Sequence, residues 1–370
     1  MREWIDCTLG DIVTFQRGHD LPKTQMQYGR YPVVGSNGII GYHNEYTTDE
    51  PSITIGRSGN VGKPFIYYGK TWSHNTTLYI KDFKGNDPVF VFYFLKTMDL
   101  ENYAGGSAVP TLNRNHIHTL PICVPGNLME QKKIGLLLKT IDDKIALNNA
   151  INCNLEQQAQ ALFKSWFSDI SYFAPLSDVT INITDGVHNT VTDTPNGEYL
   201  LLSCKNIKGG KLSISKDERR IDKATFDKLR KRTKLDKGDI LLSSVGTIGE
   251  ILFLNSNPTN IEFQRSVAII KADNNKISPE YLYNALKSQR RELIATAHGA
   301  VQQCIFISDI QEFEIPIPSY ELVQKYTVVV SPMYERIIAL QAENDRLSTL
   351  RDTLLPKLMN GEIDVSEVEI

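Results

Sequence analysis

The chain is written twice, and that duplication constrains its fold more than any other feature. Gly59-Asn60-Val61-Gly62 returns as Gly246-Thr247-Ile248-Gly249, 187 residues later. Pro88-Val89-Phe90-Val91-Phe92-Tyr93-Phe94-Leu95 returns as Pro279-Glu280-Tyr281-Leu282-Tyr283-Asn284-Ala285-Leu286 at a shift of 191. Ile117-His118-Thr119-Leu120-Pro121-Ile122-Cys123-Val124-Pro125 returns as Ile310-Gln311-Glu312-Phe313-Glu314-Ile315-Pro316-Ile317-Pro318 at 193, and Gln131-Lys132 returns as Gln324-Lys325 at the same shift. Each match is short, but the order is kept and the shift drifts by only a few residues. That is the pattern of a diverged duplication with small loop insertions.

The first part of each copy reads as strands. Ser52-Ile53-Thr54-Ile55, Phe65-Ile66-Tyr67-Tyr68 and Thr77-Leu78-Tyr79-Ile80 are β-branched or aromatic runs between Gly and Pro turns. Asp239-Ile240-Leu241-Leu242-Ser243, Glu250-Ile251-Leu252-Phe253-Leu254 and Val267-Ala268-Ile269-Ile270 are their counterparts. One helix is expected inside each part, starting at Pro88 and at Pro279, because proline suits the first turn of a helix.

The second part of each copy reads as one long helix. Leu138, Ile141, Ile145, Asn148, Asn152, Leu155, Ala159, Leu162 and Trp166 alternate steps of three and four, as do Met333, Ile337, Leu340, Asn344, Leu347, Arg351, Leu354 and Leu358. This is a heptad seam. Asn at a seam costs stability but fixes register, so Asn148, Asn152 and Asn344 make the two helices partners. The pairing set is Ile141, Ile145, Asn148, Asn152 and Leu155 against Ile337, Leu340, Asn344 and Leu347. Asn360-Gly361 is a stop signal for the second helix. The alternative is two unrelated amphipathic helices, each covering its own sheet.

With 41% hydrophobic and 22% charged residues, a chain of 370 residues is expected to fold as a soluble protein of two or three domains. No run of 18 apolar residues appears, and Met1-Arg2-Glu3-Trp4-Ile5-Asp6-Cys7 lacks the core of a signal peptide, so no membrane partner is expected. The five cysteines lie at 7, 123, 153, 204 and 304, at least 30 residues apart. That spacing gives no CxxC site and no disulfide framework, and places the chain in a reducing cytoplasm. The net charge of −3 hides an asymmetry. Residues 205–237 carry thirteen Lys or Arg against five Asp or Glu, whereas residues 312–370 carry five against eleven. The basic run, with Arg219, Arg220, Lys223, Lys228, Arg230, Lys231, Arg232, Lys234 and Lys237, can contact phosphates, or can be a solvated face with pairs such as Asp227 and Lys231.

No catalytic constellation emerges. Gly56-Arg57-Ser58-Gly59-Asn60-Val61-Gly62-Lys63-Pro64 fails as a phosphate loop, since Arg57 stands where glycine is needed and Pro64 where Ser or Thr is needed. Asn257-Pro258-Thr259 is not the Asn/Asp-Pro-Pro-aromatic motif of adenine methyltransferases, and no GxSxG or HExxH is present. His19, His43, His74, His116 and His118 lack acidic partners at ligand spacing, so polar or base-contacting roles fit them better than metal. The repeated glycine turns read as places where backbone approaches a neighbouring strand or a DNA backbone.

Several strings together resemble the specificity subunit of type I restriction–modification systems. They are Leu9-Gly10-Asp11-Ile12, Gly35-Ser36-Asn37-Gly38-Ile39-Ile40-Gly41-Tyr42, Gly56-Arg57-Ser58-Gly59 and Ser107-Ala108-Val109-Pro110-Thr111-Leu112-Asn113. Further along come Glu130-Gln131-Lys132-Lys133-Ile134, Asp142-Asp143-Lys144-Ile145, Leu162-Phe163-Lys164-Ser165-Trp166-Phe167 and Leu354-Leu355-Pro356-Lys357-Leu358-Met359-Asn360-Gly361-Glu362-Ile363. The second copy departs from the pattern at Leu176-Ser177-Asp178-Val179-Thr180, which matches Leu9–Ile12 only loosely, and in its basic insertion.

The resemblance implies an α+β fold: two β-rich target-recognition domains separated by two long helices paired as an antiparallel coiled coil. The expected boundaries are 1–126 and 169–318 for the domains, 127–168 and 319–362 for the helices, and 363–370 for a tail. It implies a non-catalytic subunit that reads a bipartite target in double-stranded DNA. Two methyltransferase subunits would bind S-adenosylmethionine and methylate adenine N6; two restriction subunits would use ATP and Mg²⁺ to cut. No cofactor is expected in this chain.

Sequence is read by side chains that pair with base edges, and register is fixed by phosphate contacts. The expected DNA contacts are Arg57, Lys63, His74, Asn75, Asn113 and Arg114 in the first domain. In the second they are Lys205, Arg219, Arg220, Ser243, Arg265, Gln302 and Gln303. Two other classes stay open: a free-standing duplicated enzyme with an unrecognised site, and a coiled-coil scaffold with no nucleic-acid role. Binding of S-adenosylmethionine or ATP would mark the first, and the lack of a salt-dependent DNA shift the second.

Overall fold

Both copies turn the same alternating runs into the same strands. The computed structural model describes residues 4–106, 110–215, 217–299 and 303–366. Contacts divide the chain into two units: Met1–Leu147 with Asn344–Ile370, and Asn148–Glu343. Each long helix is thereby shared between them.

The first unit opens with β1 (Trp4–Thr8), the short helix α1 (Leu9–Ile12) and β2 (Thr14–Arg17). Then come β3 (Tyr31–Gly35), β4 (Gly38–His43), β5 (Ser52–Gly56), β6 (Pro64–Tyr67), β7 (Trp72–Ser73) and β8 (Thr77–Asp82). α2 (Pro88–Leu95), β9 (Ala104–Gly105), β10 (Thr111–Leu112), α3 (Arg114–His118) and β11 (Pro121–Pro125) lead into α4 (Leu128–Phe167). The sheets run β2-β8-β5-β6, β4-β3-β7, β1-β11 and β10-β9.

The second unit repeats this with β12 (Phe173–Pro175), α5 (Leu176–Val179), β13 (Thr180–Asp185) and β14 (Tyr199–Leu202). A hairpin of β15 (Ile207–Lys208) and β16 (Lys211–Leu212) precedes β17 (Arg220–Ile221) and α6 (Lys223–Thr233). β18 (Ile240–Ser243), β19 (Ile251–Phe253), β20 (Ile261–Phe263) and β21 (Val267–Ala272) complete the sheets. α7 (Pro279–Ser288), α8 (Arg290–Ala295), α9 (Ile307–Glu312) and β22 (Glu314–Pro316) then lead into α10 (Tyr320–Met359). The orders β13-β21-β18-β19, β17-β14-β20 and β12-β22 match those of the first unit. The parallel strand pairing is kept too, β3 with β7 and β14 with β20.

Local chemistry explains the shared elements. Asp87 caps α2 by accepting from Phe90 N, Ser278 caps α7 by accepting from Tyr281 N, and each is followed by proline at the first helical position. The loosely matched openings are equivalent: Leu9 N donates to Leu120 O and Leu176 N to Phe313 O, both at 2.9 Å. The glycine turns are equivalent too. Gly59 and Gly62 have φ of +84° and +78°, Gly246 and Gly249 +81° each. A Cβ on Gly62 would lie 2.4 Å from Glu101 N, and one on Gly249 2.5 Å from Ile294 Cγ1. The groups these glycines approach belong to their own unit.

In each unit the long helices run antiparallel. Leu138 and Ile134 share the first unit's core with Leu358 and Met359, and Asp142 accepts from Arg351 Nη1 at 2.7 Å. In the second, Asn148 Nδ2 donates to Glu343 Oε2 at 3.0 Å and Tyr326 OH to Ala159 O at 3.0 Å. Of the expected pairing residues, Ile141, Asn148, Asn152, Ile337 and Leu340 are buried, and Ile145, Leu155, Asn344 and Leu347 are half-buried. The heptad seam does not persist to the end of α4. Beyond Ala159 the buried residues are Phe163 and Phe167, while Leu162 and Trp166 are only half-buried. Steps of four replace the alternation because this stretch meets two neighbours. Phe163 and Phe167 both ring-pack on Tyr281 of α7 and Tyr326 of α10. The segment expected as a tail also contributes to packing, with Val365 1% exposed in the first unit's core. All five cysteines are free. Among the described residues, no helix is long and apolar enough to cross a membrane.

The basic insertion is partly structural. Arg230 forms an ion pair with Glu262, which is fully buried on β20, and donates to the carbonyls of Leu235, Pro258 and Ile261. Arg232 pairs with Asp185 at 2.7 Å and donates to Gly186 O, and Asp227 pairs with Lys223, not Lys231. Removing the partner of a buried carboxylate leaves it uncompensated. Arg230→Met should therefore lower the unfolding free energy in urea by about 3–5 kcal/mol. Lys231→Met, at an exposed position, should change it by less than about 0.5 kcal/mol. Equal effects would remove Arg230 from the core of the insertion.

Candidate nucleic-acid interface

Four turns converge at one end of each unit's sheets, held by the same hydrogen bonds in both copies. In the first unit Gly18 N donates to Thr77 O, His19 N to Ser73 O, His74 N to Val34 O and Arg57 N to Thr76 O, at 2.8–3.0 Å. In the second, Gly186 N donates to Val267 O, Val187 N to Phe263 O, Gln264 N to Leu202 O and Ser244 N to Ser266 O, at 2.8–3.2 Å. The β9–β10 hairpin joins the group through Leu112 N to Arg57 O, and its counterpart through Ile305 N to Ser244 O. Side chains repeat the pattern. Thr76 Oγ1 accepts from Ser36 N at 3.3 Å, and Ser266 Oγ from Cys204 N at 3.1 Å.

The structure gathers most of the expected first-unit residues here. Arg57, His74 and Asn75 sit on these turns, half-exposed, and Lys63 is exposed at the foot of the β5–β6 turn opposite Gly56. His74 Nδ1 lies 3.2 Å from Thr76 Oγ1, and Asn75 Nδ2 donates to Asp20. Asn113 and Arg114, both exposed, follow β10, where Asn113 caps α3 by accepting from Asn115 N.

The second-unit set is more scattered. Arg265 and Gln303 are exposed at the converging turns, Gln303 next to Cys304, which pairs with Val245. Lys205 follows the β14 corner and reaches Glu218 at 3.0 Å. Burial pushes the Glu218 carboxyl up, but hydrogen bonds from Lys205, Ser215 and Asn206 outweigh it and hold it at about 2. Arg219 is exposed. Arg220 is tied to the sheet edge, with Nη1 on Gly197 O at 3.1 Å. Ser243 is a correction: it is fully buried, its hydroxyl donating to Thr247 O and accepting from Glu250 N, so it shapes the turn from inside. Gln302 lies outside the described residues.

The sequence reading missed Gln264, Thr76 and Ser266. Setting Ser73-His74-Asn75-Thr76-Thr77 beside Phe263-Gln264-Arg265-Ser266-Val267 would have found them, a shift of 190 between the 187 and 191 already seen. Two of the clustered histidines serve the fold. His43 Nδ1 accepts from Gln27 N at 3.0 Å, and His118 Nε2 accepts from Phe15 N at 2.9 Å.

The two units thus present equivalent clusters of turns on homologous sheets. A family model described as the type I restriction modification DNA specificity domain matches residues 1–157 and 189–346. The chain belongs to that family of DNA-recognition subunits. It is 27% identical over 308 residues to the type I restriction enzyme MjaIX specificity subunit of Methanocaldococcus jannaschii, covering 75% of this chain and 70% of that one. It is 26% identical over 360 residues to the HindI specificity subunit of Haemophilus influenzae, covering 75% and 77%. The crystal structure of an S subunit from M. genitalium superposes with a TM-score of 0.66 at 17% identity, covering 97% of this chain and 96% of that one, and shares the fold.

His118 gives a pH test of this frame. Burial lowers its pKa below the ordinary 6.5, with Lys84 and Arg114 adding to the effect, and its acceptor nitrogen requires the neutral ring. A depressed histidine contributes stability that is present above 6.5 and lost as the pH falls through the folded value. His118→Gln keeps an acceptor that does not titrate. NMR should place the His118 midpoint below 6.5, and the melting temperature should drop through that midpoint in the parent but not in the variant. A midpoint at or above the ordinary value would remove the bond to Phe15 from the frame.

Proposed function

We propose that this chain reads a bipartite target in double-stranded DNA, one half with each unit, and directs partner subunits to it. The observation that supports this most is the pair of turn clusters, alike in backbone hydrogen bonds and unlike in side chains: Arg57, His74 and Asn75 in one, Ser244, Gln264 and Arg265 in the other. A common frame with different side chains suits two readers of different sequences. In this reading two methyltransferase subunits bind S-adenosylmethionine and methylate adenine N6. Two restriction subunits use ATP and Mg²⁺ to cut unmodified DNA, and the complex works in the cytoplasm. The proposed contacts are Arg57, Lys63, His74, Asn75, Asn113 and Arg114, with Lys205, Arg219, Arg220, Arg265, Gln302 and Gln303; burial takes Ser243 out of the set.

The exposed lysines of the insertion act on phosphates. Lys228, Lys231 and Lys237 are exposed and form no ion pair among the described residues. Replacing all three by glutamine should weaken binding to every duplex alike and flatten the salt dependence, by about 0.9 in log–log slope for each phosphate no longer neutralised. Selection from a randomised duplex library with the full chain tests the main reading. Two short motifs at a fixed gap are expected, and no enrichment, or one continuous motif, would overturn it. An unchanged salt slope would assign the lysines to solvent or to a partner subunit.

A further inference from the structure

We propose that base reading in the two units is carried by one equivalent pair of positions, His74-Asn75 and Gln264-Arg265, and that the hydroxyls of Thr76 and Ser266 are the positioning groups that lock these pairs in place. The inference rests on the two-half reading of DNA above, and deepens it to named residues.

The geometry is the same in both units and joins segments far apart in the chain. Residue 76 holds two neighbouring turns at once: its carbonyl accepts from Arg57 N at 2.8 Å and its hydroxyl from Ser36 N at 3.3 Å. Residue 266 does the same, its carbonyl accepting from Ser244 N at 2.9 Å and its hydroxyl from Cys204 N at 3.1 Å. A tight turn closes over the pair between them, Thr77 N to His74 O at 2.9 Å and Val267 N to Gln264 O at 3.0 Å. The first residue of each pair is itself tied to the central strand, His74 N to Val34 O and Gln264 N to Leu202 O. Two hydrogen bonds on the first residue of each pair and two on the residue that follows the pair thus hold a dipeptide whose own side chains remain half-exposed or exposed.

That is the arrangement a base reader needs. A side chain discriminates bases only if its own backbone is held to a fraction of an ångström by groups that do not themselves bind the ligand. The anchoring position is Thr in one copy and Ser in the other, both with the hydroxyl the bond requires. The reading positions differ completely, His to Gln and Asn to Arg. Gln264 and Arg265 form no side-chain hydrogen bond or ion pair among the described residues. Their chemistry is that of bidentate recognition, the Gln amide on adenine and the guanidinium on guanine. Gln264 is therefore assigned as a specificity-determining residue, equivalent to His74.

The test uses the full chain and a randomised duplex library, with binding then measured on the selected duplexes. Gln264→Ala should cost about tenfold in preference at one position of one motif half, the loss of a single bidentate pair, and leave the other half intact. Ser266→Ala should blur that same half, while Ser266→Thr retains it. Thr76→Val should blur the other half, while Thr76→Ser retains it. Affinity for unselected duplex should stay unchanged throughout, because no phosphate-binding group is altered. Wild-type selectivity in both Gln264→Ala and Ser266→Ala would overturn the assignment, as would equal blurring of both halves with a lowered melting temperature. Gln264→Ala, at a partly exposed position, keeps the assignment falsifiable if a hydroxyl variant fails to fold. If the parent chain itself selects no two-part motif, the DNA-reading proposal falls, and this inference with it.

Discussion

The first unit is closed by the far end of the chain, and the rest of the structure depends on that closure. Leu358, Met359 and Val365 are buried in a core otherwise built from residues before 139. Arg351 reaches Asp142, which also accepts from Tyr93 OH at 2.7 Å and so ties the helix pair to α2. The second unit builds the same joint with different groups: Asn284 of α7 meets Tyr334 of α10 at 2.9 Å. In both, a short helix from the β-rich part docks against the long pair through several polar contacts in an apolar setting, Lys287 with Glu156 and Ser331 with Glu280 among them in the second unit. Such contacts are costly to leave unmade, and they specify how the helices seat on the sheet.

The sheets carry this frame to the end where the turns converge. Burial of β5 and β18 along their whole length fixes their register, because a one-residue slip would exchange the two faces. The turns at their ends are then placed by strands that cannot move. Backbone groups make most of the bonds among these turns, so side chains are free to differ between copies. A frame built this way can exchange the side chains on its turns without changing how it folds.

Charge count alone misjudges the basic insertion. Thirteen cationic side chains in residues 205–237 look like a phosphate-binding face, yet Arg230 and Arg232 are taken up by Glu262 and Asp185, and Lys205 by Glu218. An arginine fork satisfies buried carbonyls and carboxylates as readily as phosphates. Only the fold separates the cations facing solvent from Arg230, which holds α6 against β20.

The duplication, the strand-rich halves, the helices at Pro88 and Pro279 and the two long helices are legible in the order of residues alone. Each of these rests on local periodicity or on a capping residue close to the element it starts, and local signals survive divergence. The sequence also singled out Arg57, His74, Asn75 and Arg265 by their chemistry, and the fold places them at the converging turns. What it could not decide depends on residues far apart in the chain: Ser36 with Thr76, Cys204 with Ser266, Arg230 with Glu262, and Ser243 turned inward on Thr247 and Glu250. The shift from heptad steps to steps of four after Ala159 belongs to the same class, since it arises where α7 and α10 both press on α4. Whether a polar side chain holds the frame or faces a ligand is set by which distant backbone groups reach it. Only the tertiary structure brings those groups together.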